Sequence, residues 1–230
     1  MKTMSMTAKR LMAAAAVMVL LVGNAMGQIA TSTLAAPTNP APAGAKPTVV
    51  RKWSFSASAS VYLVPNDRKY MQPTFTADRE RLHLEARYND EALETGSLWA
   101  GCNFNTGEKL VFKVTPMVGA VFGNKVGIAP GYKASLGYGK VELTSAGKYV
   151  FDLRDRSGNF FYSWSELTVS PLDWFRAGLA AQRTRTYKTD LDIQRGFLVG
   201  ISYKKMDFAA YVLNAGWTDP TIIFSMGVEF

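Results

Sequence analysis

Histidine, which can serve both as a catalytic base and as a metal ligand, occurs once in this chain, at position 83, and Glu85 follows two positions later. A histidine beside a carboxylate can activate a serine in a Ser–His–carboxylate hydrolase, with the serines of the first predicted strand, or Ser163 and Ser165 on the eighth, as candidate nucleophiles. The chain has no G-x-S-x-G motif and no serine at an informative spacing from His83. As metal ligands, His83 and Glu85 lack a third partner nearby. The sequence therefore predicts a non-enzymatic protein without metal or cofactor.

Other chemical signals exclude further classes of protein. The single cysteine, Cys102, rules out a disulfide framework and a cysteine-built zinc site. The GYG at residues 137–139 lacks the third glycine of a dinucleotide-binding loop and fits a hairpin turn better. A net charge of +8 with 19% charged residues is too dispersed for a dense nucleic-acid-binding stripe. The function must depend on where the secondary structure places the charged residues.

A period of two runs from residue 53 to the end of the chain, which is typical of β-strands with two different faces. Leu82 and Leu84, for example, alternate with His83 and Glu85. No segment has a sustained helical period. Turn signals divide the chain into twelve strands, with ten as the alternative count, near 53–64, 70–78, 81–89, 96–105, 108–122, 128–138, 140–153, 160–170, 175–187, 192–204, 206–214 and 220–230.

The connections between these strands alternate between tight turns and longer, more polar loops. This alternation is typical of transmembrane antiparallel up-and-down β-barrels, whose short turns are periplasmic. An even number of strands also returns both ends of the barrel to the same side of the membrane. The sequence predicts an all-β transmembrane barrel over residues 51–230.

The last strand carries the most specific pattern in the sequence. Phe224, Met226, Val228 and the terminal Phe230 alternate with smaller or more polar residues. This segment resembles the C-terminal signature of bacterial outer-membrane β-barrels. The resemblance implies an integral outer-membrane location and recognition by the barrel insertion machinery. The same strand is expected to pair with the first, since an open sheet edge in hydrocarbon leaves its backbone N–H and C=O groups without partners.

Aromatic residues cluster near both predicted ends of the strands, which suggests two interfacial belts. The periplasmic belt includes Trp53, Tyr138 and Trp174. The opposite belt is predicted to contain Tyr70, Tyr88, Trp99, Phe122, Phe160, Tyr187 and Trp217. Cys102 shares the phase of Leu98 and is expected to face lipid.

The phase that places apolar residues against lipid turns ionisable residues toward the lumen. Cations outnumber carboxylates among them, which predicts a narrow porin-like channel for small polar or anionic solutes. The alternatives are a plugged structural or adhesion barrel and, less favoured, an outer-membrane lipid hydrolase using His83. The predicted pore-lining residues are His83, Glu85, Arg87, Lys109, Lys113, Lys133, Glu142, Lys148, Glu166 and Arg176.

Expected partners of such a barrel are outer-membrane lipids and the insertion machinery, with no nucleic acid. Four cations cluster at the outer end of one predicted hairpin: Arg183, Arg185, Lys188 and Arg195. Arginines at an outer rim suit the phosphates of lipopolysaccharide by charge and geometry. The alternative interpretation is a solvated loop.

The N-terminal region has a different composition from the barrel. Residues 1–27 combine a basic start, an apolar run at 11–22 and a small-x-small site, which predicts a cleaved signal peptide. Residues 28–50 are rich in Ala, Pro and Thr and cannot bury a core. They are interpreted as a periplasmic tether, so the N-terminus of the mature protein is expected in the periplasm.

Overall fold

The computed structural model describes residues 52–65, 68–186, 192–216 and 220–230. The predicted signal peptide and tether therefore lie outside the described residues. Those that are described form thirteen strands and one short 3₁₀ turn at Arg156–Gly158. No helix in these ranges has the length and hydropathy needed to cross a membrane. The strands are β1 Ser54–Leu63, β2 Tyr70–Arg79, β3 Leu82–Tyr88, β4 Thr95–Cys102, β5 Phe104–Thr106, β6 Leu110–Gly123, β7 Gly127–Tyr138, β8 Val141–Asp152, β9 Phe160–Leu172, β10 Phe175–Thr186, β11 Asp192–Tyr203, β12 Met206–Leu213 and β13 Thr221–Glu229.

The sheet closes on itself, because β1 pairs antiparallel with β13 from Ser56↔Glu229 to Leu63↔Ile222. At the other junction, β4 and β5 both pair with β6, so they are two parts of one barrel strand interrupted at Asn103. The described chain is thus a closed barrel of twelve antiparallel strands. This confirms the predicted fold and the predicted count of twelve. Closure gives every strand two hydrogen-bonded neighbours and leaves no open edge.

The two ends of the barrel differ in their connections. At one end, here called the short-turn end, β2–β3, β7–β8, β9–β10 and β11–β12 are joined by two residues each. Gly139 and Lys204 take positive φ angles of 58° and 54° in two of these turns. The opposite loop end carries the longer connections, including 89–94 and 153–159. The turn signals in the sequence predict this alternation correctly.

Burial is inverted relative to a water-soluble domain. Large apolar side chains are exposed on the outside, for example Leu98 at 58%, Phe197 at 62% and Leu179 at 52%. Cys102 lies on the face of Leu98, as expected from its phase. Most of the buried residues point into the lumen, where polar and apolar side chains pack together. The outer wall is consequently an apolar band.

The predicted aromatic belt at the short-turn end matches the structure, and the belt at the loop end matches in part, since Tyr88 and Phe122 occupy outward strand positions. At the short-turn end, Trp53, Tyr138 and Trp174 are exposed, as expected. At the loop end the prediction was wrong for three residues: Trp99 and Phe160 are buried in a lumen cluster, and Tyr70 packs against another. Their strand phase places them inside the barrel, and a belt assignment based on chain position alone ignores that phase. Tyr187 and Trp217 lie outside the described residues.

Candidate functional site: the barrel lumen

The lumen contains a column of charged side chains on β3. Alternation along this strand turns His83, Glu85 and Arg87 inward. His83 Nδ1 lies 2.7 Å from Asp78 Oδ1 on β2, and Nε2 lies 2.8 Å from Glu85 Oε1. Both ring nitrogens are therefore engaged by carboxylates. This arrangement leaves no nitrogen of His83 to activate a serine or bind a metal, and no metal-ligating group of three is found among the described residues.

Arg87 links the β3 column to the neighbouring elements. Its Nε donates to Glu85 Oε2 at 2.6 Å, and Nη1 donates to Asp90 Oδ2 at 3.0 Å. The guanidinium carbon lies 4.5 Å from the ring centroid of Trp99, a cation–π geometry. The ring of Trp99 lies over Gly119 so closely that a Cβ there would come within 2.5 Å of it. A small residue on β6 thus makes room for an aromatic one on β4.

Two lysines from the facing wall reach this column. Lys133 on β7 donates to Glu85, and Lys148 on β8 donates to Asp90. Lys148 Nζ also lies 3.2 Å from Glu91 Oε1. Asp90 and Glu91 belong to the β3–β4 connection at 89–94, here called the inserted loop because these contacts hold it inside the lumen. The loop is therefore tied to two separate walls of the barrel.

The two acidic residues of the inserted loop have shifted pKa values in opposite directions. Burial raises the pKa of Glu91, and the nearby Asp90 charge adds to this shift against the opposing effect of Lys148. Burial also disfavours the charge of Asp90, but Lys148 and Arg87 outweigh it and hold the pKa of Asp90 well below its usual range. The Glu91 side chain is fully buried. Charge on the loop is thus concentrated on Asp90.

A second polar group lines the opposite wall. Glu166 on β9 accepts hydrogen bonds from Trp164 Nε1 at 2.7 Å and from the Tyr211 hydroxyl at 3.0 Å. Arg176 on β10 forms a bidentate pair with Asp207 on β12, with Nη2 to Oδ1 at 2.7 Å. The predicted carboxylate Glu166 and the predicted cation Arg176 on this wall therefore both have partners.

Two apolar clusters fill much of the space between these polar groups. One is built around Tyr62, Leu198 and Ile223, and the other around Trp99 and Val150. The lumen is consequently packed by side chains over part of its cross-section.

A cavity lies in each half of the lumen. The cavity in the short-turn half has a volume of about 320 Å³ and is lined by Lys113, Lys133, Thr144 and Trp164, among others. The cavity in the loop half has a volume of about 350 Å³ and is lined by Tyr62, Tyr70, the inserted loop, Lys125 and Gln182. The two cavities share no lining residue. Lys133, which pairs with Glu85, lines the first cavity, and Tyr62 and Phe160 of the two apolar clusters line the second.

The structure brings most of the predicted lumen residues inside the barrel. Inward positions are occupied by His83, Glu85, Arg87, Lys113, Lys133, Lys148, Glu166 and Arg176. Glu142 has the inward phase but is exposed near the short-turn end. Lys109 is a correction: it lies in the turn before β6, which begins at Leu110, so it has no position on the lumen wall.

The sequence interpretation missed the acidic partners of these cations. Asp78, Asp90, Glu91 and Asp207 all point into the lumen and pair with the predicted residues. Asp78 and Asp207 share the inward phase of their strands, so the alternation contained this information. Asp90 and Glu91 lie in a loop, where no period indicates that they fold inward. The excess of positive charge is therefore smaller than predicted and concentrates at Lys113, which has no ion pair within the described ranges.

Comparison with solved structures identifies the same architecture in bacterial porins. A KdgM porin structure aligns with a TM-score of 0.54 at 10% identity, covering 76% of this chain and 99% of that chain. A NanC porin structure aligns with a TM-score of 0.54 at 9% identity, covering 76% and 98%. A KdgM porin in complex with disordered oligogalacturonate aligns with a TM-score of 0.52 at 9% identity, covering 76% and 99%. Scans against protein-family models and curated proteins found no match. At these identities the likeness concerns the fold, and the chain shares the barrel fold of these porins.

Proposed function

We propose that this protein is a bacterial outer-membrane β-barrel that acts as a narrow porin-like channel for small polar or anionic solutes. The observation that carries the proposal is a closed barrel with an apolar outer wall and a charged lumen that has a cavity in each half. An apolar band on the outside suits hydrocarbon, and polar side chains inside suit water and solutes. The channel function needs no catalytic group.

In this proposal the short-turn end faces the periplasm and the loop end faces the outside. Both ends of the described barrel chain, at β1 and β13, lie at the short-turn end. An N-terminal tether would therefore begin in the periplasm. The outward side chains Phe224, Met226 and Phe230 are 52%, 47% and 48% exposed. Their accessibility supports a role for this strand as the signal read by the insertion machinery.

The preference for anions rests on the cavity in the short-turn half. Lys113 and Lys133 both line it, and Glu85, which binds Lys133, is fully buried. A cation without an ion pair at the wall of a low-dielectric passage attracts anions through the focused field. Oligogalacturonate, named with one of the similar porins, is an anionic sugar. It supports the class of solute proposed here.

A second candidate function is a plugged structural barrel. The observations that favour it are the paired charges and the buried aromatic residues inside the lumen. Oppositely charged side chains that pair across strands inside the lumen can block a barrel of this size as well as line a pore. The inserted loop adds further paired charges in the loop half of the lumen.

Ion selectivity tests the channel proposal. Lys113→Glu should shift the reversal potential of reconstituted protein toward cations, because it reverses a charge on the cavity wall. Lys109→Glu is the matched control, since it makes the same charge change in the turn outside the lumen. Equal shifts for both variants would show that only surface charge acts. No shift for Lys113→Glu would contradict the placement of Lys113 on the conducting path.

A further inference from the structure

The outward face of the barrel is apolar except at a few positions. Among outward strand positions with described side chains, charge occurs at Arg79, Arg183 and Arg195. Arg79 ends β2 at the short-turn end, with its guanidinium over the ring of Trp53. Arg183 and Arg195 lie together near the loop end of β10 and β11. Among these positions, a pair of cations therefore interrupts the apolar outer wall only at the β10–β11 hairpin.

The sheet register makes Arg183 and Arg195 diagonal neighbours. Arg183 pairs with Ile193, and Arg195 pairs with Ala181, two residues further along the hairpin. Diagonal neighbours on one face of an antiparallel pair lie about 7–8 Å apart, within reach of long side chains. Two guanidinium groups on this spacing can converge on one tetrahedral anion, each with two parallel donors.

The pair lies close to the end of a neighbouring strand. β12 ends at Leu213, which pairs with Gly196, so Arg195 stands beside the end of the neighbouring strand. The exposed Phe197 lies one outward position further into the apolar band. A long cationic side chain at such a boundary directs its charged group toward the membrane surface.

Neither guanidinium has a hydrogen bond or an ion pair within the described part of the chain. Ser163, which pairs with Arg183 on the side of β9, is only 8% exposed, and its hydroxyl likewise has no partner among the described side chains. Elsewhere on this wall hydroxyls satisfy one another, as Ser145 does with Ser165 at 3.1 Å. The arginine pair and Ser163 therefore offer donors that the protein itself leaves unused.

We propose that Arg183, Arg195 and Ser163 form an external binding site for a phosphate group of lipopolysaccharide. The inference rests on the proposed outer-membrane orientation, in which the loop end faces the outer leaflet. The site needs an anion with several acceptor oxygens at headgroup depth, and a lipid phosphate provides both. A second copy of this chain is a poorer occupant, since a two-fold contact would bring like charges together.

The test compares lipid binding by the purified full-length protein and the variant Arg183→Gln/Arg195→Gln. Binding of lipopolysaccharide is measured by native mass spectrometry, with dephosphorylated lipopolysaccharide and phosphatidylglycerol as separate probes. We expect the double variant to bind lipopolysaccharide at least about tenfold more weakly, since charge-assisted hydrogen bonds are lost. Dephosphorylation should weaken binding to the unaltered protein similarly. Arg79→Gln, which removes an outward arginine at the other end, should leave binding unchanged.

Three outcomes would overturn the site: equal binding by the double variant, equal binding of the dephosphorylated probe, or equally tight binding of phosphatidylglycerol. A change in oligomeric state instead of lipid binding would assign the arginines to a protein interface. A folded barrel migrates differently on gels before and after boiling, and this heat-modifiable migration checks that each variant is folded. If the double glutamine variant does not fold, Arg183→Lys/Arg195→Lys replaces it and is expected to bind lipopolysaccharide with intermediate affinity. Channel conductance is measured in a separate experiment. A protein that conducts no ions but binds lipopolysaccharide would contradict the channel alone, and one that conducts ions but binds no lipopolysaccharide would contradict this site alone.

Discussion

Replacing Lys148 with methionine should release the inserted loop from the lumen. Lys148 is 4% exposed and its ammonium group contacts Asp90 and Glu91. Methionine keeps most of the side-chain volume but removes the charge. Asp90 and Glu91 then remain in the barrel, and Arg87 is left as a cation in contact with Asp90. Removing one partner of a buried ion pair costs about 3–5 kcal/mol.

That cost can be avoided if the loop moves out into water while the barrel stays intact. A change of about 3–5 kcal/mol shifts the docking equilibrium by about a hundredfold or more. We therefore expect higher single-channel conductance for Lys148→Met, because the cavity in the loop half loses one of its walls. Faster proteolysis within the loop should accompany the change, with the heat-modified migration of the barrel retained.

Lys125→Met is the matched control. Lys125 also lies at the loop end, but its ammonium group donates to the Gly158 carbonyl at 2.6 Å and lies 3.7 Å from Asp152. Lys125→Met should leave proteolysis of the inserted loop unchanged, because the ammonium group of Lys125 contacts neither Asp90 nor Glu91 among the described contacts. Because Lys125 also lines the loop-half cavity, this control applies to proteolysis and not to conductance. Unchanged conductance and unchanged proteolysis for Lys148→Met would refute the tethering role of Lys148.

Three further results are expected. The raised pKa of Glu91 lets this residue hold a proton while the inserted loop is docked in the lumen, so docking of the loop is favoured at low pH. Docking should weaken as the pH rises above the ordinary pKa of 4.5 through the raised pKa, and conductance should increase over that range. Glu91→Gln should abolish this pH dependence of conductance. Leu179→Arg, on the outer wall in the middle of β10, should destabilise the inserted barrel by roughly 2–4 kcal/mol in vesicle unfolding titrations, and Ser135→Arg, at an inward position, should cost clearly less. A reversed order would contradict the assigned faces. Deleting Phe230 should reduce outer-membrane assembly without blocking export, and normal surface levels would count against a terminal assembly signal.

Strand phase was predictable from the sequence because the two faces of each strand meet different surroundings. The strand from Leu82 to Tyr88 shows this well, since the apolar residues Leu82, Leu84 and Ala86 alternate with charged or polar ones and the structure places the two sets on opposite faces. Turn residues then set the strand boundaries, and these differ from the predicted ones by a few residues at most. The lysine at 109 was misplaced by such a boundary error.

The contents of the lumen were less predictable, because contacts across a barrel have no signature along the chain. The inserted loop is the clearest example: nothing in the spacing of Asp90 and Glu91 indicates that Lys148, more than fifty residues later, binds them. The position of Trp99 could have been inferred from its phase with Ser97, to which its ring nitrogen donates at 2.9 Å. Its fit against Gly119 required the three-dimensional register.

Single-channel recording in planar lipid bilayers tests the central claim, a water-filled path through the barrel, most directly. The protein should give discrete conductance steps that favour anions at low salt, with the preference fading as salt screens Lys113 and Lys133. The control is the same preparation shown to be folded by heat-modifiable migration. Folded, inserted protein that passes no current at any salt concentration would contradict the channel and establish the plugged barrel in its place.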